Sequence, residues 1–194
     1  MNIRFLGAHN CESQSTSCIC LLIDNTLAID AGGLTSNLSI SEQEKLNAIL
    51  LTHQHYDHIR DIPGIALNLF LQGANIKVFS TESVLTTIKT HLLNGTIYPQ
   101  FQNIPVTKPT VSLNVVKPYV PENIDGHEIL AIPVRHFENT VGYQVSDRQG
   151  KRYSIQVIQA QACQTAGITY PRNCSSLMLH FPTLTKSLPR KQGI

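Results

Sequence analysis

The chain has 194 residues, 42% of them apolar, and a formal net charge of +2, which suits one globular domain with a sizeable core. No apolar run approaches the length that spans a bilayer, and Met1-Asn2-Ile3-Arg4-Phe5-Leu6-Gly7 lacks the pattern of a secretion signal, so a membrane partner is not expected and the cytoplasm is the expected compartment. The charge is uneven: residues 1–147 hold all 13 acidic residues against 8 basic ones, whereas residues 148–194 hold 7 basic residues and no acid.

Taken in order, residues 2–7 alternate polar and apolar and meet Gly7, the signature of a first strand. Residues 17–23 and 27–30, separated by Asp24-Asn25-Thr26, predict a β-hairpin in which Asn25 takes the left-handed conformation of a tight turn. The second of these strands ends in Asp30-Ala31-Gly32-Gly33, where two glycines allow a close backbone approach. Ser41 with Glu44 three residues later predicts a capping box opening a short helix over 41–47, before a buried strand at 48–51. An apolar helix over 65–71, a strand at 76–79 and a helix over 82–93 follow, the last placing His91 where an imidazole favours the helix dipole. The Pro-, Asn- and Thr-rich stretch 96–110 predicts a loop, and strands are expected at 111–116, 128–134, 141–145 and 151–155, the last two joined by a turn at Asp147-Arg148-Gln149-Gly150. Cys11, Cys18, Cys20, Cys163 and Cys174 form an odd set without paired C-x-x-C spacing and are expected as reduced thiols, with Cys18 and Cys20 packing on one strand face. His9, His127 and His180 are expected at the surface in irregular segments.

The chemistry concentrates in Thr52-His53-Gln54-His55-Tyr56-Asp57-His58, which leaves the apolar run Ala48-Ile49-Leu50-Leu51. Three imidazoles and a carboxylate within six residues outline a metal site, because each needs a polar partner or a cation once desolvated. Alternate residues of a segment leaving a strand point the same way, so His53 and His55 can address one ion while Asp57 and His58 turn toward a second. Imidazole and carboxylate ligands suit Zn, Mn or Fe alike.

The segments Phe5-Leu6-Gly7, Ile29-Asp30-Ala31-Gly32, the 50–58 motif and His136 followed by Gly142-Tyr143 resemble the metallo-β-lactamase-fold hydrolases. Within them, the branch holding ribonuclease Z and the class II cyclic-nucleotide phosphodiesterases is the most similar. The resemblance covers residues 2 to about 154. It implies an α+β, four-layer αββα sandwich with a metal centre at one edge. It also implies His53, His55 and His136 around a first zinc, Asp57 and His58 at a second ion, and Asp30 bracing the His loop from behind. The expected reaction is hydrolysis of a small phosphodiester such as a cyclic nucleotide, with Asp57 orienting or deprotonating the attacking water. A ribonuclease Z-like, tRNA 3′-processing activity is the alternative substrate reading. A polyanion is disfavoured by the acidic balance before residue 148 and by the absence of a basic insertion to grip it. The resemblance also implies a homodimer as a possible assembly.

The branch continues into a Gly-Asp-Thr-like turn whose Asp bridges the two metals and later supplies a final His. Here residues 156–162 read Gln-Val-Ile-Gln-Ala-Gln-Ala, and no carboxylate follows. The resemblance and the acidic residues stop together, which predicts a metallo-β-lactamase-like domain over 1–155 and a divergent basic tail over 156–194 produced by a shift of coding frame near residue 155. Translating the other frames downstream of that codon should yield a Gly-Asp-Thr-like segment, and its absence would refute the shift. A non-catalytic, truncated metal-binding domain is the third reading this leaves open.

Overall fold

The computed structural model describes residues 1–136, 138–147, 152–159 and 175–180. Residues 148–150 of the turn predicted at 147–150, Lys151 of the predicted strand at 151–155, and most of the predicted tail lie outside them.

β1 (Ile3–Gly7), β2 (Cys20–Ile23) and β3 (Leu27–Ile29) form an antiparallel meander. The turn between β2 and β3 holds Asp24 and Asn25 at φ of 46° and 62°, the left-handed pair that matches the twist of the flanking strands. From β3 the chain crosses through two short helices, α1 (Leu34–Asn37) and α2 (Ile40–Gln43), into β4 (Ala48–Leu50), which lies parallel to β3. The capping box sits two residues earlier than predicted: the Ser39 hydroxyl accepts from Glu42 N–H, and the Glu42 carboxylate accepts from Ser39 N–H at 2.9 Å. Both S-x-x-E pairs satisfy the pattern locally. The earlier one lets the helix end at Gln43, in time for Leu46 and Ala48 to enter the core.

A single-turn helix, α3 (Tyr56–Ile59), follows the His loop, and α4 (Ile62–Leu71) takes Pro63 and Gly64 into its first turn, where a missing N–H is harmless. β5 (Ile76–Ser80) and β6 (Val111–Val115) complete a six-stranded sheet in the order β1-β2-β3-β4-β5-β6, its last three pairings parallel. Between them, the helix predicted over 82–93 is α5 (Glu82–Thr87) running on into a π-helical turn, Ile88–Leu92, that carries His91 on the surface. The second sheet is antiparallel, in the order β11-β10-β9-β8-β7. Its strands are β7 (Glu122–Ile124), β8 (His127–Pro133), β9 (Val141–Ser146), β10 (Arg152–Gln159) and β11 (Ser175–His180).

Two apolar cores follow from strand alternation. Leu21, Ile23, Leu27, Ile29 and Leu50 face the second sheet, where Ile129, Ala131, Tyr143, Val145 and Ile155 meet them. Cys20, Leu22, Ala28, Ile49 and Leu51 point the other way, into the layer of Leu34, Ile62, Ile65, Leu69, Val84 and Ile88 from the helices. Helices, sheet and sheet are therefore three of the four layers expected of an αββα sandwich, and no outer helix covers the second sheet among the described residues. β10 passes residue 155 without interruption and pairs with β11, Ser154 opposite His180.

Two of the three histidines expected in irregular segments stand in strands. His180 ends β11, and His127 opens β8 with its ring buried. His127 Nε2 lies 3.1 Å from Asp24 Oδ2, and its Nδ1 lies 3.1 Å from the Asp125 carbonyl, so it ties the β2–β3 turn to the second sheet. Burial pulls the Asp24 carboxyl upward, but the Asn2 N–H and His127 outweigh it, and the pKa falls below the usual carboxylate range. His9 bridges Cys18 in the loop after β1. Cys18 and Cys20 are buried free thiols raised in pKa, first by that burial, which suits the packing role expected of them.

Candidate metal centre

The centre forms where β3 and β4 end side by side. β4 delivers Leu51, whose carbonyl accepts from Tyr143 O–H of β9 at 2.8 Å and from the Ser80 hydroxyl at 2.7 Å. Thr52 O in turn accepts from Val141 N–H at 3.0 Å, so the edge of the second sheet is stitched to the His loop on its way out of the first. That seam brings His136, in the loop between β8 and β9, across to residues more than eighty positions earlier.

His53 is fully buried. Its Nε2 stands 3.0 Å from His55 Nδ1 and 3.2 Å from His136 Nε2, and the candidate donor atoms of the three all lie within 4.8 Å of one another. A tetrahedral ion with metal–nitrogen bonds of about 2.0–2.1 Å sets its nitrogens about 3.3 Å apart, so the two spacings from His53 within this trio fit a tetrahedral divalent ion. Its electrostatics fit as well, because metal binding requires neutral imidazole. Burial lowers the His53 pKa to about 2, with His58, His55 and His136 adding repulsion. Burial, with His55 and His58, lowers His136, against the pull of Asp57.

Asp57 and His58 lie together beside this trio, on α3. His58 Nε2 is 3.5 Å from Asp57 Oδ2, and the His58 ring centroid is 4.1 Å from that of His53. Burial opposes protonation of His58, but the charge of Asp30, its hydrogen bond and Asp57 prevail, and the pKa is raised. Asp30 is the anchor behind both groups. It is fully buried and holds φ at 59°, an unfavourable setting for a residue with a Cβ. Its carboxylate accepts from Thr52 N–H at 2.8 Å, from the Thr52 hydroxyl at 3.0 Å and from His58 Nδ1–H at 2.8 Å.

The loop after Asp30 then clamps α3. Ala31 N–H donates to His58 O at 2.7 Å, and Asp61 N–H donates to Ala31 O at 2.9 Å. Asp61 accepts from Thr35 N–H and from Arg60 Nε, while Arg60 also pairs with Glu12 of the loop after β1. All six residues singled out from the sequence, Asp30, His53, His55, Asp57, His58 and His136, thus occupy one place. Sequence reading assigns no structural role to Thr52 or to the Tyr143 hydroxyl. Thr52 had a signal in its position, next to the first His at a strand end; the carbonyl that Tyr143 reaches, 92 residues away, has none.

Residues 21–161 match a family described as a beta-lactamase superfamily domain. The chain belongs to that family. The ribonuclease Z of Methanocaldococcus jannaschii is 29% identical over 119 residues, which cover 58% of this chain and 34% of that protein. Unliganded yeast PDE1 superposes with a TM-score of 0.62 at 12% identity, over 77% of this chain and 62% of the other. The short form of human tRNase Z superposes at 0.57 with 16% identity, over 82% of this chain and 70% of the other. The chain therefore spans about a third of the curated relative's length and under two thirds of the yeast chain. The family match, together with these superpositions, gives a metallo-β-lactamase fold, and the names fall on the ribonuclease Z and phosphodiesterase side of it, as the motifs imply. Divalent-metal binding accords with this fold and with the histidine trio. No helix among the described residues is long and apolar enough to cross a membrane.

Proposed function

We propose that this member of the beta-lactamase superfamily is a metal-dependent hydrolase of small phosphodiesters, with His53, His55 and His136 as ligands of one zinc or similar divalent ion. The observation that carries the reading is the convergence of His53 Nε2, His55 Nδ1 and His136 Nε2 next to the Asp57–His58 pair. A divalent ion bound there supplies Lewis acidity, polarising a phosphoryl oxygen and acidifying water. Asp57, only partly exposed and steadied by His58, is the carboxylate positioned to orient that water and take its proton. Asp30 holds His58 from the buried side.

Among the described residues, only Asp57 and His58 stand at the second half of the centre, and residues 148–194 carry no carboxylate side chain. At most one firmly held ion per chain, and weak or absent phosphodiesterase activity, are expected from this. The polynucleotide reading draws on the ribonuclease Z relative, but the acidic balance of residues 1–147 weighs against a polyanion. The test is metal content and hydrolysis of bis(p-nitrophenyl) phosphate by the full chain after loading with zinc or manganese, beside His55→Ala. About one retained ion and a rate at least about tenfold above the variant's are expected, tenfold being the lower end of what losing a mere partner of a ligand removes. Equal rates would leave the non-catalytic reading standing, and two tightly held ions would overturn the one-ion assignment.

A further inference from the structure

Two histidines of the centre depend on one buried carboxylate, but only one of them touches it well. His58 Nδ1 lies 2.8 Å from Asp30 Oδ2. The partner of His53 Nδ1 is instead Thr52 Oγ1, at 3.0 Å, and that oxygen is itself 3.0 Å from both oxygens of Asp30. His58 Nδ1 is more distant from the hydroxyl, at 3.4 Å. Thr52 is fully buried, so its hydroxyl must satisfy itself within this cluster.

Counting protons fixes the direction of each bond. An ionised carboxylate only accepts, and a hydroxyl has one proton and two lone pairs. Thr52 therefore gives its proton to Asp30, which leaves its oxygen to accept from His53. That bond requires the proton of His53 to sit on Nδ1 and leaves Nε2 bare. Nε2 is the atom that meets His55 and His136.

We infer that the Thr52 hydroxyl is a positioning group that relays the charge of Asp30 to His53 and thereby sets its tautomer, so that it tunes divalent-ion affinity at the His53, His55 and His136 half of the centre without supporting the Asp57 and His58 half. The inference rests on the metal-centre reading above. A valine at position 52 keeps the shape of threonine but turns a methyl toward His53 Nδ1, stranding a buried donor or forcing the ring into the other tautomer. A serine keeps the relay. The backbone bond from residue 52 to Asp30, and the direct bond from His58 to Asp30, survive both changes.

The experiment compares the full chain with Thr52→Val and Thr52→Ser. Zinc affinity is measured by competition with a chromogenic chelator, and histidine tautomers of the metal-free proteins by long-range 15N–1H NMR. In the wild type, His53 should carry its proton on Nδ1. Thr52→Val should bind zinc about 10- to 100-fold more weakly, the range for losing a partner of a metal-bound His. It should also alter the His53 signals and spare those of His58, while Thr52→Ser stays close to wild type. Wild-type affinity in the valine variant, or an equal loss in the serine variant, would overturn the relay. So would a wild-type His53 protonated on Nε2, a measurement that needs no variant to fold. If the wild type bound no zinc, the metal-centre reading would fall, and the tautomer of His53 would still decide the relay.

Discussion

Asp30→Ala should destabilise the protein by about 3–5 kcal/mol, the scale for removing one partner of a buried charged pair, and should abolish tight metal binding with it. Three donors lose their acceptor at once: Thr52 N–H, the Thr52 hydroxyl and His58 Nδ1–H. Thr52 and His58 are buried, so their polar atoms have little recourse to solvent. Alanine inherits the φ of 59° and has no side-chain oxygen to make that conformation tolerable. Asp30→Asn separates the terms. Its amide oxygen can still accept from Thr52 N–H, and asparagine tolerates the left-handed region, but the charge that steadies His58 is gone. Urea unfolding of the metal-free proteins should rank wild type, asparagine and alanine in falling order of midpoint, with comparable slopes. An alanine variant within about 1 kcal/mol of wild type, no more than a typical surface change plus error, would show that the cluster contributes little to the fold.

How much of this was legible in the sequence depends on how far apart the partners lie. The strand periods, the left-handed hairpin turn and the His motif are local patterns: they predict β1 to β6 and pick out His53, His55, Asp57 and His58 as candidates from neighbouring positions alone, whereas the role of Asp30 comes from the resemblance. His136 is 83 residues from His53 and was reached through the Gly142-Tyr143 that follows it, not through any periodicity. Where two local solutions were equivalent, sequence could not choose: Ser39–Glu42 and Ser41–Glu44 both spell a capping box, and the core position of Leu46 decides between them. The three residues of β7 are too few to show alternation, and α3 hides inside the metal motif because two of its four residues, Asp57 and His58, read as ligands in a segment leaving a strand. His127 reads as a surface residue from sequence because its carboxylate partner lies 103 positions away. Thr52 went unremarked for another reason: its value lies in joining a carboxylate behind it to an imidazole beside it, which is visible only once β3 and β4 are placed in register.

Gly32→Ala should be the more damaging of two otherwise similar glycine replacements, and comparison with Gly64→Ala shows why. A Cβ on Gly32 would stand 1.9 Å from the Asp57 carbonyl oxygen, 2.7 Å from Cys18 Cβ and 2.8 Å from the Ile19 carbonyl oxygen. Two of these neighbours are backbone, so no rotamer change relieves the contact and truncating Cys18 would not rescue it. Either α3 moves away from the β3 end or the loop 30–33 does, and each carries a part of the centre: Asp57 and His58 on one side, Asp30 on the other. Overpacking of this kind costs about 1–3 kcal/mol or more, and the displacement should also weaken metal retention. Gly64 sits in the first turns of α4, and its Cβ would meet chiefly the Thr35 methyl at 3.3 Å, a side-chain group that can give way. Alanine there gains up to about 1 kcal/mol of helix propensity, so Gly64→Ala should be neutral to stabilising and keep its metal. Thermal midpoint and bound zinc should both fall in Gly32→Ala, whereas in Gly64→Ala the midpoint should hold or rise and the zinc content should stay at the wild-type level. Wild-type metal content in Gly32→Ala would mean that the Asp57 backbone can retreat without disturbing its own side chain, and that the clamp between the Asp30 loop and α3 is looser than its hydrogen bonds require.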